Sequence, residues 1–328
     1  MIGLSRILVL SFTVSSVVGG SLGAQPVAGS APDGEAEVVR QAEEAIRAGR
    51  YDLAAERLMA VEEGLSATAE ALLGRALALD RRYVAAEPPL ESAVERGQKD
   101  PQTLFFLGST LWENGKLGEA EGVFETGLEV SSRHPAFLQQ LGRLALWRGR
   151  YEAALALLEE ALERAPGELD TALDWAQALE GAKRLEPAIE AYRAVVAAAP
   201  DHTQAHYGLG RVLVSAGRSE EGRRELELYR RLYEAEQERG LETGRRQAEV
   251  ARGFALVHAG EAAAAVAHLR GLPESVDTLA ALATALAAAG RTEESLSALE
   301  RAVALAPERG DLRARLSEAR LAGAVARE

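Results

Sequence analysis

The stretch ALWRGRYEAALALLEEALERAP, from Ala145 to Pro166, decides the fold. Small residues stand at Ala154 and Ala161, seven apart, and a proline follows five residues after the second. Such a pattern fits one amphipathic helix stopped by proline, and equally one copy of a repeated unit. Sliding the stretch along the chain separates the two. Gly115, Gly149, Lys183 and Gly217 stand at one constant interval of about 34 residues. Around these points LGSTLWENGKLGEAEGVFETGLE, LGRLALWRGRYEAALALLEEALE, WAQALEGAKRLEPAIEAYRAVVA and LGRVLVSAGRSEEGRRELELYRR share one grammar. A fixed stride of this length is the signature of a solenoid.

Within each unit a helical apolar pattern stops at a turn and a second helical pattern follows. Leu141-Gly142 on the first helix and Ala154 and Ala161 on the second mark the crossing points. A side chain larger than Ala there would overpack, at about 1–3 kcal/mol. Pro166, Pro200 and Pro307 follow the second helices, because proline cannot continue them.

These residues resemble the tetratricopeptide repeat, a helix-turn-helix of about 34 residues. With Leu141-Gly142 in the family's Leu-Gly positions, the best copy is 135–168. Further copies fall at 67–100, 101–134, 169–202, 203–236 and 276–309, and weaker ones at 35–66 and roughly 246–275. The resemblance implies an all-α fold, an α-solenoid of about eight such repeats forming a right-handed superhelix. One repeat cannot bury its own apolar face, so stability comes from stacking on its neighbours.

Some units depart from the pattern. Gly127 and Val195 replace an Ala late in the second helix, and Gly222 replaces an earlier one. Pro88-Pro89 fall inside a second helix, which predicts a late start or a kink. After Gly217 the next turn glycine is Gly260, nine positions later than the stride would place it. The excess predicts a second helix lengthened by about two turns and ending near Gly240. The organisation is then repeats one to six over 35–245, repeats seven and eight over 246–309, and a solvating terminal helix over 310–328.

The chain opens MIGLSRILVLSFTVSSVVGGSLGAQ, with Arg6 before a twelve-residue apolar run, Ile7 to Val18, and small residues leading to Ala24. That is the layout of a secretory signal peptide over 1–24. The run is too short to span a bilayer, and no other stretch is long and apolar enough. Residues 25–34 read as a Pro/Gly/Ala/Ser linker.

Composition limits the chemistry. The 328 residues carry a net charge of −13 and no cysteine. The charge argues against a general nucleic-acid binder. The missing thiols exclude disulfides, thiolate metal sites and thiol catalysis. Five histidines are scattered, and only His202 and His206 have the i, i+4 spacing of a ligand pair. His206 takes an apolar position of its unit, and His202 sits at a helix entry where Asp201 or Thr203 is placed to cap, so no metal is expected. No phosphate loop or nucleophile elbow occurs, and neither catalysis nor a cofactor is expected.

Binding is the remaining role. The resemblance places unit positions 2, 5, 9, 12 and 13 of the first helices on the inner face. Those positions give Phe105, Ser109 and Trp112, then Gln139, Arg143 and Trp147, then Leu173 and Gln177, then Tyr207 and Arg211, with Arg75 continuing the arginines at position nine. Aromatics interleaved with Arg and Gln have hot-spot composition, suited to holding an extended or helical protein segment. The bland reading is that Phe105, Trp112 and Leu173 complete packing between repeats.

The family's carboxylate clamp wants Lys and Asn, then Asn, then Lys and Arg across three units. Phe105, Ser109, Gln140, Asp170 and Asp174 stand at those places, so the clamp is absent. The expectation is a non-enzymatic interaction scaffold, exported to a bacterial periplasm, with a protein or peptide partner. The alternative is an accessory subunit of envelope biogenesis or of polysaccharide or secretion machinery that positions an enzyme or glycan.

Overall fold

The computed structural model describes residues 33–61, 64–307 and 309–325, and their side chains except at 33 and 322–325. The signal peptide and residues 25–32 of the linker therefore lie outside the described residues. Asp33 and Gly34, read as linker, instead open the first helix.

Sixteen helices and no strand occur among the described residues. The first helices of the regular repeats are α3 (Ala67–Leu79), α5 (Pro101–Glu113), α7 (Pro135–Trp147), α9 (Leu169–Gly181) and α11 (Thr203–Ser215). Their starts keep the constant stride read from the sequence. Between them run α4 (Tyr83–Glu95), α6 (Leu117–Val130), α8 (Tyr151–Arg164) and α10 (Leu185–Ala198). Before them come α1 (Asp33–Arg47) and α2 (Tyr51–Met59). After α11 follow α12 (Ser219–His258), α13 (Ala262–Arg270), α14 (Val276–Ala288), α15 (Thr292–Leu305) and α16 (Gly310–Val325).

Local chemistry sets this rhythm. Several first helices begin on a side-chain cap, such as Ser66, Asp100 or Ser275 accepting from a backbone N–H of the first turn. The turn into each second helix needs one left-handed residue. Gly115, Gly149 and Gly217 supply it without strain, whereas Lys183 adopts φ 63°.

The chain divides into two compact units, one ending at Arg230 and the other beginning at Arg231. In the first unit the core runs through Leu58, Leu90, Phe124, Phe137, Leu158, Ile189 and Leu213, all almost fully buried. In the second, Leu269, Leu286, Leu299 and Leu312 do the same. Ala154 and Ala161 are buried at their crossings, and a Cβ on Gly142 would stand 2.6 Å from Leu158 Cγ.

The departures have structural causes. Gly127 replaces Ala because the Phe137 ring fills the space of its missing Cβ. At Gly222 a Cβ would meet the Gly210 carbonyl at 2.7 Å, so α11 and α12 approach more closely than an Ala allows. The late start expected from Pro88-Pro89 does not occur. α4 begins at Tyr83, on the common stride, with both prolines inside it. The carbonyls left unpaired belong to the first turn, beside Val84, which is highly exposed.

The end expected near Gly240 is also corrected. α12 is a single helix of 40 residues that absorbs both the lengthened second helix and the first helix of the next repeat. Gly240 is not among the glycines with positive φ, so nothing terminates the helix there. Residues 230–245 are exposed except for Leu232.

Candidate partner-binding face

In the first unit the first helices of successive repeats approach one another directly, α1 with α3, α3 with α5, α7 with α9 and α9 with α11. Second helices of successive repeats do not pair in this way. The side on which neighbours crowd together is the inner side, and the first helices form it.

The α5–α7 junction differs, because these two helices lack that close approach. Four phenylalanines wedge this junction. The Phe105 ring packs at 6.1 Å from Phe106, 6.5 Å from Phe124 and 6.0 Å from Phe137, at tilted or edge-on angles. Phe105 is 6% exposed. Its expected place lining an open groove is therefore corrected: it is core, as is Leu173.

The arginines prove to be held by carboxylates of α9. Arg143 lies 5.6 Å over the Trp112 ring, and its Nε stands 3.8 Å from Asp174 Oδ2. The Gln139 amide donates to the same Asp174 oxygen at 3.2 Å. Burial pushes the Asp174 carboxyl up to about 6, although Arg143 and Gln139 pull it down.

Two repeats after Arg143, Arg211 pairs with Glu180 and lies 5.3 Å over the Tyr207 ring. Burial acts to lower the Arg211 value, but the hydrogen bond and charge of Glu180 outweigh it and raise it. Tyr192 donates its hydroxyl to Glu180 at 3.0 Å, and burial, then Glu180, push its phenol upward. Tyr229 stacks on Tyr207 with ring centroids 5.0 Å apart.

Of the remaining expected residues, Ser109 and Gln139 are half-buried. Trp147, 68% exposed, Gln177 and Tyr207, 42% exposed, present open surface on α7, α9 and α11. The histidines play structural parts. His202 itself caps α11, its Nδ1 accepting from the Ala205 N–H at 3.3 Å, where Asp201 or Thr203 was expected. His206 is buried, with one ring nitrogen 2.7 Å from Glu225 and the other 2.9 Å from the Pro200 carbonyl. No cluster of three or more potential metal ligands occurs among the described residues.

Tetratricopeptide repeat profiles match residues 39–101, 111–173 and 173–236, together more than half of the chain. The chain belongs to the tetratricopeptide repeat family. It is a protein–protein interaction module of tandem helix-turn-helix repeats.

Among solved structures, a tetratricopeptide repeat protein from Parabacteroides merdae is similar over 88% of this chain and 99% of its own, with 13% identity and TM-score 0.49. A MamA fragment from Desulfovibrio magneticus is similar over 52% of this chain and 97% of its own, with 22% identity and TM-score 0.48. YrrB, described as a TPR protein with an unusual peptide-binding site, is similar over 62% of this chain and 93% of its own, with 16% identity and TM-score 0.45. A comparison with curated proteins finds no match. No described helix of this tetratricopeptide repeat protein is long and apolar enough to cross a membrane.

The carboxylates that occupy the arginines are what sequence reasoning missed. Asp174 follows Arg143, and Glu180 precedes Arg211, by slightly less than one repeat. This near-stride spacing places each pair at one level of adjacent first helices, and it was visible in the sequence.

Proposed function

We propose that this protein is an exported adaptor of the bacterial cell envelope, whose first-helix face in the first unit holds an extended or helical segment of a partner protein. One observation carries the binding face: Trp147, Gln177 and Tyr207 stay exposed on their first helices, whereas Phe105, Phe106 and Phe137 are buried. Large rigid aromatics flanked by amide and guanidinium groups are the side chains that anchor interfaces. Their neighbours Arg143 and Arg211 are fixed by Asp174 and Glu180, so the face is organised before a partner arrives and little ordering entropy is lost. The N-terminal pattern Arg6, Ile7–Val18 and Ala24 supports export.

Affinity capture from the envelope fraction tests the reading, with wild-type and Trp147→Ala/Tyr207→Ala bait. A polypeptide recovered repeatedly by the wild type and lost with the double substitution supports it. Equal recovery by both, or glycan retained without protein, contradicts it. The mass of the mature chain tests export, which requires the loss of residues 1–24.

A further inference from the structure

Three arginines occupy the same level of the inner face, Arg75, Arg143 and Arg211. Two have carboxylate partners on α9. Arg75 has none among the described residues. One of its terminal nitrogens donates to Gln102 Oε1 at 2.8 Å, and its guanidinium carbon lies 5.9 Å from the centre of the Phe106 ring. An amide and a ring orient the guanidinium but supply no negative charge.

The nearest acids are otherwise engaged. Asp100 caps α5, with Oδ1 accepting from the Gln102 and Thr103 N–H groups at 3.0 and 3.1 Å. Its Oδ2 accepts from the Gln98 amide at 3.0 Å and from the Thr103 hydroxyl. Glu43 is exposed and stands 3.9 Å from Arg47. On α3 and α5 the remaining acids are Glu70, held by Arg96 at 2.9 Å and Ser92 at 2.8 Å, and Glu113 at the far end of α5. Burial lowers the Arg75 value despite the fields of Glu43 and Asp100. A guanidinium does not shed its proton, so the cost of desolvation persists until an anion arrives.

Arg75 is itself half-buried, with part of its side chain open to the surface. One cation with a planar donor fork suits a planar monoanion, and a carboxylate has that shape and charge.

We propose that Arg75 anchors an Asp or Glu side chain of the partner segment, so that the ligand of this face is an acidic peptide. This rests on the reading of the first-helix face as the partner-binding surface. It differs from a clamp for a chain terminus, because the carboxylate comes from within the segment.

Random twelve-residue peptides displayed on phage, with their C-termini fused to the coat protein and so carrying no free terminal carboxylate, are selected on the full-length protein and measured by fluorescence polarisation. Binders are expected to share Asp or Glu at one position and to lose at least tenfold affinity for Arg75→Gln. A peptide with Lys at that position is expected to bind Arg75→Glu better than wild type. Circular dichroism checks each variant, and Arg75→Lys, which keeps the charge but loses the fork, replaces any variant that fails to fold.

Binders indifferent to Arg75→Gln but weakened by Trp147→Ala or Tyr207→Ala overturn this inference and leave the face standing. Binders indifferent to all three substitutions overturn both. Failure of every fused peptide, with binding only of synthetic peptides bearing a free C-terminus, also overturns the inference and assigns the site to a terminal carboxylate.

Discussion

Asp174 and Arg143, on neighbouring first helices, form an ion pair in which each side chain is about seven-eighths buried. The Gln139 amide and the Trp112 ring complete its surroundings. The pair looks like a binding feature from the arginine's side and a structural one from the carboxylate's. It is both, since the same contact that fixes Arg143 also fixes the edge of the candidate face.

The Asp174 carboxyl gives the protein a pH-dependent stability of definite sign. Its folded value, raised by burial to about 6, exceeds the unfolded value of ~3.9. Between those values the folded state holds a proton that the unfolded state has released. Stability therefore falls as pH rises from about 4 to about 6 and then levels. The full effect of this group is about 3 kcal/mol. Denaturant unfolding at pH 4, 5, 6 and 7 checks it: the difference between wild type and Asp174→Asn should change across this window. A difference constant with pH contradicts the assignment.

Phe105 and Trp147 stand at two different positions of the inner-face set that the resemblance gives, positions 5 and 13 of their units, and they separate by burial. Phe105→Ala empties the middle of a four-ring cluster and should cost about 3–5 kcal/mol. Trp147→Ala should leave stability within about 0.5 kcal/mol and remove partner binding. Thermal melts and the capture assay read the two effects. Equal melting of both variants would contradict the division between core and surface.

Glycines separate in the same manner. Gly142→Ala puts a Cβ 2.6 Å from Leu158 Cγ, a clash of about 1–3 kcal/mol that exceeds the helix-propensity gain of up to ~1. Gly240→Ala and Gly244→Ala meet nothing within 4 Å and should each stabilise the exposed helix by about 0.5–1 kcal/mol. Urea midpoints should move in opposite directions. A stabilising Gly142→Ala would show that the crossing of α7 and α8 is looser than described.

The stride was readable in the sequence because it is written in backbone requirements. Gly115, Gly149 and Gly217 mark turns that need positive φ, and Gly142 and Ala154 mark crossings too close for larger side chains. Side-chain roles were less legible. The placement of Phe105 followed the family's inner positions, but Phe124 and Phe137 enlarge this junction and draw the ring into the core. Arg143 and Arg211 looked available because their carboxylates lie almost a whole repeat away and meet them only across a helix interface. Gly240 looked like a helix end because glycine ends helices, yet it does so only in the left-handed conformation, which nothing at this site imposes. His202 caps α11 through a ring nitrogen, a role that residue type alone does not advertise.

Site-specific photo-crosslinking in the cells that make the protein tests the central claim most directly. A photoreactive residue is placed at Trp147 or Gln177 on the inner face, and at Val130 or Glu159 on second helices, all exposed positions. The account predicts one recurring protein adduct from the two inner positions and none from the outer pair. Adducts from Val130 and Glu159 with none from Trp147 and Gln177 would contradict it.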